Sequence, residues 1–256
     1  MWHDEIYQEA VEGMPINLPG PGSLRDRIDR VVEELQNLEL TPAGLEIAGL
    51  AARRRLAQLE KELDDLIFEL YGLGQSERDL VREMCSLGLD FFYRHHESDA
   101  VKAVVLPSRP WGTYADVAQS DSGFGAYVQT FLQAWNVELE PDGELAWRVL
   151  SPPSGAPLLA VSFVSRFKNK PLTAPAHADA EAWGDLIKKL ERGALLPYGS
   201  SNVFTDTFFR QIGEHEMLFI KRNEARFWTR TAAREDAEAA LVRLMHEDGA
   251  GTKEGQ

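Results

Sequence analysis

Between Lys221 and Arg234 the chain reads Lys-Arg-Asn-Glu-Ala-Arg-Phe-Trp-Thr-Arg-Thr-Ala-Ala-Arg. These residues carry five basic side chains and one acid, in a chain whose net charge is −14. If the segment is extended, Arg226, Trp228 and Arg230 alternate and share one face. Guanidinium forks beside an aromatic plane suit phosphate contacts and base stacking. Lys221, Arg222, Arg226, Trp228, Arg230 and Arg234 are therefore the candidate DNA-binding residues. The competing reading pairs these cations with acids of the same chain, including those of its acidic N-terminal helices.

Other reactive side chains point to less. Cys85, the single cysteine, lies in an apolar helical pattern between Met84 and Leu87 and reads as a small core residue. His95-His96-Glu97 falls at a helix end, where the helix dipole favours a cation. Glu214-His215-Glu216 falls in a hairpin turn, and His177-Ala178-Asp179 in a loop leading to an N-cap. The sequence has no Gly-x-x-x-x-Gly-Lys-Ser/Thr loop, no Gly-x-Ser-x-Gly elbow, and no His-Glu-x-x-His or Cys-x-x-Cys pair. The strand best placed to hold magnesium in a nuclease, Val161–Phe167, contains no carboxylate. No catalytic residue, metal site or cofactor is expected.

The elements that would position these residues follow from apolar spacing. Residues 1–22 are rich in proline and glycine and form an irregular lead-in. Ser23 then caps a helix whose Leu24, Ile28, Val31, Leu35 and Leu38 form one narrow stripe. Thr41-Pro42 opens a second helix with the seam Leu56, Leu59, Leu63, Leu66, Leu70 and Leu73. The two should fold back as an antiparallel, coiled-coil-like hairpin. Gly72 and Gly74 end the second helix. Ser76 caps a third, with Leu80, Met84, Leu87 and Phe91 as its apolar line, running to 93–96. A Pro- and Gly-rich linker covers 97–123, with a domain boundary near 107.

Beyond it a helix over Tyr127–Leu139 precedes a turn at Pro141-Asp142-Gly143. Strands at Leu145–Leu150 and Leu158–Val164 follow, the second apolar enough to be central. A helix over Asp179–Arg192, strands at Val203–Ile212 and Met217–Lys221, a short strand at Phe227-Trp228 and a closing helix over Arg234–His246 complete the list. The predicted class is α+β with a mainly antiparallel sheet. The predicted organisation is a lead-in (1–22), a helical arm (23–106), an α+β domain (107–248) and a disordered tail (249–256).

Residues 62–77, Glu-Leu-Asp-Asp-Leu-Ile-Phe-Glu-Leu-Tyr-Gly-Leu-Gly-Gln-Ser-Glu, resemble a helix-to-helix junction near the end of large adenine-specific DNA methyltransferases. Such enzymes occur in type IIG restriction-modification and BREX-like phage-defence systems. The likeness extends over about residues 15–95. It implies that the arm docks a catalytic partner, a DNA methyltransferase or another defence-complex subunit, through Leu56, Leu59, Leu63, Leu66, Leu70, Tyr71 and Leu73. The Asn-Pro-Pro-Tyr motif and the Gly-rich S-adenosylmethionine turn of that family are absent from this sequence. The implied role is that of the enzyme's tail, without its catalytic half.

Charge and composition bound the rest. Residues 1–106 hold 11 Lys and Arg against 21 Asp and Glu, and residues 107–256 hold 16 against 20. Such a chain repels nucleic acid except at a local basic patch. One cysteine cannot form an internal disulfide, and the acidic start Met-Trp-His-Asp-Glu does not read as a signal peptide. No apolar run approaches the roughly 20 residues that span a bilayer. A cytoplasmic protein is expected. The expected function is a non-catalytic accessory or specificity subunit of a DNA methylation-based restriction or phage-defence complex. The alternatives are a protein-interaction adaptor without DNA binding and a divergent nuclease-like enzyme. The heptad seam serves equally within one chain or between two copies in a homodimer.

Overall fold

The computed structural model describes residues 17–39, 46–150, 157–172, 183–186, 188, 207–211 and 215–251. The chain divides into two compact units, Met1–Arg78 and Asp79–Gln256.

The first unit is a helical hairpin. Helix α1 (Ser23–Glu39) and helix α2 (Glu46–Leu70) carry the two predicted stripes. Val31, Leu59 and Leu66 are buried where the stripes meet, with Leu24, Ile28, Leu35, Leu38 and Leu63 packed around them. Arg27 bonds Glu69 at 3.1 Å and Arg55 bonds Glu34 at 2.7 Å. The start of α1 thus lies beside the end of α2, and the pair is antiparallel. Gly72 ends α2 with φ at +66°, a backbone state that disfavours a Cβ. Its N–H donates to Glu69 O at 3.1 Å, and the Leu73 N–H donates to Phe68 O at 2.9 Å. Together they satisfy the last carbonyls of the helix in a Schellman motif.

Helix α3 (Gln75–Glu83) starts before the expected Ser76 cap. Gly74 takes the cap position, and its N–H donates to Glu77 Oε2 at 2.6 Å. The helical path continues through a π-helical turn, Met84–Gly88, into helix α4 (Leu89–Arg94). His95, with φ at +49°, breaks it. Two short 3₁₀ turns follow, His95–Glu97 and Asp99–Val101. Ser98 and the Asp99 N–H both donate to the Asp90 carboxylate and, with Ser98 the stronger cause, hold its pKa below the usual value.

The second unit is α+β. After α4 and the two 3₁₀ turns come strand β1 (Trp111–Gly112), helix α5 (Tyr114–Val117) and helix α6 (Gly123–Leu139). Then follow β2 (Gly143–Leu150), β3 (Leu158–Phe167), β4 (Thr207–Gln211), β5 (Glu216–Arg222), a 3₁₀ turn at Ala225–Phe227 and helix α7 (Arg230–Gly251). The sheet is antiparallel in the order β1-β2-β3-β5-β4, so the apolar β3 is central, as its composition predicts. One face carries Trp147, Val149, Val161, Phe163 and Phe219 into a core closed by Tyr127, Phe131 and Trp135 of α6 and Ala233, Ala237 and Ala240 of α7. The other face sends Leu150, Ala160, Leu218 and Ile220 against Trp183 and Leu186, which lie in the predicted Asp179–Arg192 helix. Residues 179–182, 187 and 189–192 of that helix lie outside the described residues, as do 203–206 and 212 of the predicted Val203–Ile212 strand.

Four expectations are corrected. The division falls after Arg78 rather than near 107, because the third helix is tied to α7 by ion pairs and caps described below. Residues 97–123 are not a linker, since Val117 is buried and Val104, Leu106 and Tyr114 pack on the core. The helix α7 runs through Gly251, past the Gly249 start expected for a disordered tail. The stretch expected to hold a strand at Phe227-Trp228 is instead the 3₁₀ turn and the entry to α7.

Candidate interaction surface

The basic segment is bound into its own fold. Lys221 shares a side of β5 with Met217 and Phe219, the side facing the core, and is 2% exposed. Its ammonium pairs with Asp236 of α7 and donates to Phe227 O at 3.2 Å. It also sits 5.1 Å from the Tyr127 ring centroid and 5.6 Å from that of Trp228. Tyr127 Oη donates to Asp236 Oδ2 at 2.6 Å, which closes a buried trio of lysine, aspartate and tyrosine. Burial lowers the pKa of Lys221 and raises that of Asp236, and burial followed by the charge of Asp236 pushes the Tyr127 phenol well up. In each case removal from water disfavours the charged form.

Trp228 is buried, with ring centroids 5.1 Å from Phe124 and 5.0 Å from Tyr127, and its indole N–H donates to Arg222 O at 2.8 Å. No base can stack on it in this fold. Arg230 donates to Gln129 Oε1 at 3.0 Å, Thr130 Oγ1 at 3.3 Å and Ser120 O at 2.9 Å. Arg234 pairs with Asp79 of α3. Arg222 and Arg226 flank one carboxylate, that of Glu224, at 3.6 and 2.8 Å. The expected shared face of Arg226, Trp228 and Arg230 does not form, because the 3₁₀ turn at Ala225–Phe227 removes the two-residue alternation.

Glu83 was not singled out in the sequence, yet it organises this region. A helix start leaves four backbone N–H groups without helical partners. In α7 those of Arg230, Thr231 and Ala232 are satisfied by side chains, and the Ala233 N–H makes the first helical bond. Arg230 N and Thr231 N donate to the Glu83 carboxylate at 2.8 and 3.2 Å, Ala232 N to Thr229 Oγ1 at 3.2 Å, and Ala233 N to Thr229 O at 3.0 Å. A carboxylate also suits the positive end of the helix dipole. Asp79 and Glu83 are one helical turn apart, so α3 turns a polar side toward α7.

The first half of the apolar line of that helix consequently faces outward, and the π-helical turn Met84–Gly88 sets its second half on another side. Leu80 is 51% exposed and Met84 55% exposed, while Leu87 and Phe91 are half-buried. Leu89, Phe92 and Tyr93 are exposed nearby, and so is Cys85, contrary to its expected burial. Leu80, Glu83, Leu87 and Phe91 form one wall of a groove of about 350 Å³, and Arg226, Thr229, Ala232 and Glu235 lie opposite. The Arg226 guanidinium lies 4.4 Å from the Phe91 ring centroid and 4.5 Å from that of Phe227.

The seam assigned to a partner behaves otherwise. Leu59 and Leu66 are fully buried in the α1–α2 hairpin and Leu63 packs beside them. Leu56, Leu70 and Leu73 are half-buried, and only Tyr71 of that set is exposed. The Tyr71 hydroxyl accepts from the Asn17 N–H at 3.1 Å. The seam pairs within the chain because α1 supplies a matching stripe. Among the described residues, no cluster of His, Cys, Asp and Glu is arranged to hold a metal ion, and no helix is long and apolar enough to cross a membrane. No family model matches the chain, and neither does any curated protein or solved structure.

Proposed function

We propose that this chain is a non-catalytic adaptor that binds another protein and does not grip DNA through its basic segment. The observation that carries this reading is the internal use of that segment. Lys221 and Arg234 pair with Asp236 and Asp79, Arg230 is held by three oxygen acceptors, and Trp228 is in the core. Cations already satisfied by acids of their own chain have little to offer a phosphate. The α3–α4 helix, by contrast, presents large apolar residues to solvent, and exposed apolar patches mark interaction sites. The likeness of residues 62–77 to a methyltransferase junction suggests the setting, a DNA methylation-based restriction or phage-defence complex with the catalytic partner as the bound protein.

The test is anisotropy of a labelled DNA duplex titrated with the purified chain at low salt. No saturable binding is expected. Binding that weakens steeply with salt and is lost in Arg222→Ala/Arg226→Ala would restore the specificity-subunit reading and overturn this one.

A further inference from the structure

We propose that the exposed apolar line of α3–α4 is the docking site for a cationic amphipathic helix of another protein. The inference rests on the adaptor reading and names its partner chemistry. Leu80, Met84, Leu87 and Phe91 recur at steps of four, three and four. The π-helical turn Met84–Gly88 divides that run: Leu80 and Met84 are exposed together with Leu89, Phe92 and Tyr93, while Leu87 and Phe91 are half-buried and line the groove. The groove beside it, about 350 Å³ and walled by Leu80, Leu87 and Phe91, accepts apolar anchors from such a helix.

The stripe is displayed for a reason found in the same helix. Asp79 and Glu83 are committed inward to Arg234 and to the start of α7. The chain therefore holds these two carboxylates against its own fold and leaves Leu80 and Met84 open, with Leu87 and Phe91 half-buried beside them. A helix stabilised by burying its apolar side in its own domain would be turned the other way.

Charge selects the occupant. Glu235, exposed, lies on the wall facing the stripe, and the chain carries −14. Among the described residues, the one cation on the groove, Arg226, is bonded to Glu224 at 2.8 Å and laid over Phe91. A second copy of the chain would bring an identical Glu235 and a like net charge to a symmetric contact, which repels. Lysines or arginines flanking an apolar face would meet Glu235 favourably and gain from long-range attraction.

The probe is a synthetic 18-residue amphipathic helix with a leucine face and a lysine face. Its controls are a peptide with the same leucines and glutamates in place of lysines, and a scrambled leucine–lysine sequence. Binding to the full chain is followed by the methyl NMR signal of Met84, one of five methionines. The leucine–lysine helix is expected to shift Met84 saturably. Leu80→Glu/Phe92→Glu, at two exposed positions, is expected to leave the circular dichroism intact and to weaken binding at least about tenfold. Equal binding by the scrambled peptide, or affinity unchanged in the double variant, would show non-specific attraction to an acidic protein and overturn the site. A shift of Met84 by the leucine–glutamate helix would keep the adaptor reading and overturn the charge assignment. Concentration-dependent dimerisation that shifts Met84 without peptide would assign the face to a second copy and overturn the proposal.

Discussion

Lys221, Asp236 and Tyr127 are buried together, and each depends on the others. Removing one charge of a buried pair leaves its partner uncompensated, which destabilises by about 3–5 kcal/mol, whereas replacing both with apolar groups is often close to neutral. Asp236→Ala is therefore expected to cost that amount in urea denaturation. Lys221→Met/Asp236→Leu should recover most of it, and a double variant as weak as the single would mean that the trio, not the ion pair, supports the fold. The tyrosine adds a pH dependence. Its phenol ionises near the ordinary value of 10.0 in the unfolded chain and well above that when folded. Between the two values the folded state holds the additional proton, so stability falls as pH rises past about 10. Burial of Lys221, whose pKa lies below the ordinary 10.5, works in the opposite direction over its own range. Tyr127→Phe removes only the falling component. Its urea midpoint should drop less between about pH 9 and about pH 11 than that of the parent chain. These partners were not legible singly. The alternation Met217, Phe219, Lys221 does place the lysine on the core face, but period two names no aspartate on a distant helix.

At the scale of elements, α7 begins in a cap that another helix supplies. Replacing an N-cap side chain by alanine costs about 0.5–2 kcal/mol. Glu83→Ala removes the acceptor for two N–H groups and should fall at the upper end of that range, with Glu83→Gln in between because it keeps a hydrogen-bond acceptor and loses the charge. An unchanged midpoint for Glu83→Ala would show that water replaces the carboxylate without loss. In the hairpin, Leu59 is fully buried, and Leu59→Ala should cost about 2–5 kcal/mol as a cavity. Here the sequence was a good guide. Both leucine stripes, the glycine stop at Gly72 and the central strand β3 follow from spacing and composition. The third helix was also legible as an element, but not in its orientation. Its apolar line predicts burial, whereas Asp79 and Glu83 turn the polar side inward because Arg234 and the start of α7 offer them partners.

Over the whole molecule, charge sets the behaviour. A chain with 41 Asp and Glu against 27 Lys and Arg repels itself in the compact state. Raising NaCl from about 50 to about 500 mM shortens the screening length from above 10 Å to below 8 Å. The thermal midpoint is expected to rise over that range, since the ion pairs most resistant to screening are the buried ones. A fall would mean that surface pairs such as Arg27–Glu69 and Arg55–Glu34 outweigh the repulsion.

The sequence by itself determined the class, the hairpin, the order of most elements and the concentration of positive charge at 221–234, because helical and strand periods, turn residues and charge are local properties. Only the tertiary structure decided what that charge is for. Ion pairing depends on which acids arrive within a few ångströms, and Asp79, Glu83 and Asp236 come from α3 and α7 at positions no local pattern marks. Their arrival gives Lys221, Arg230 and Arg234 partners within the chain and leaves Leu80 and Met84 of α3–α4 exposed.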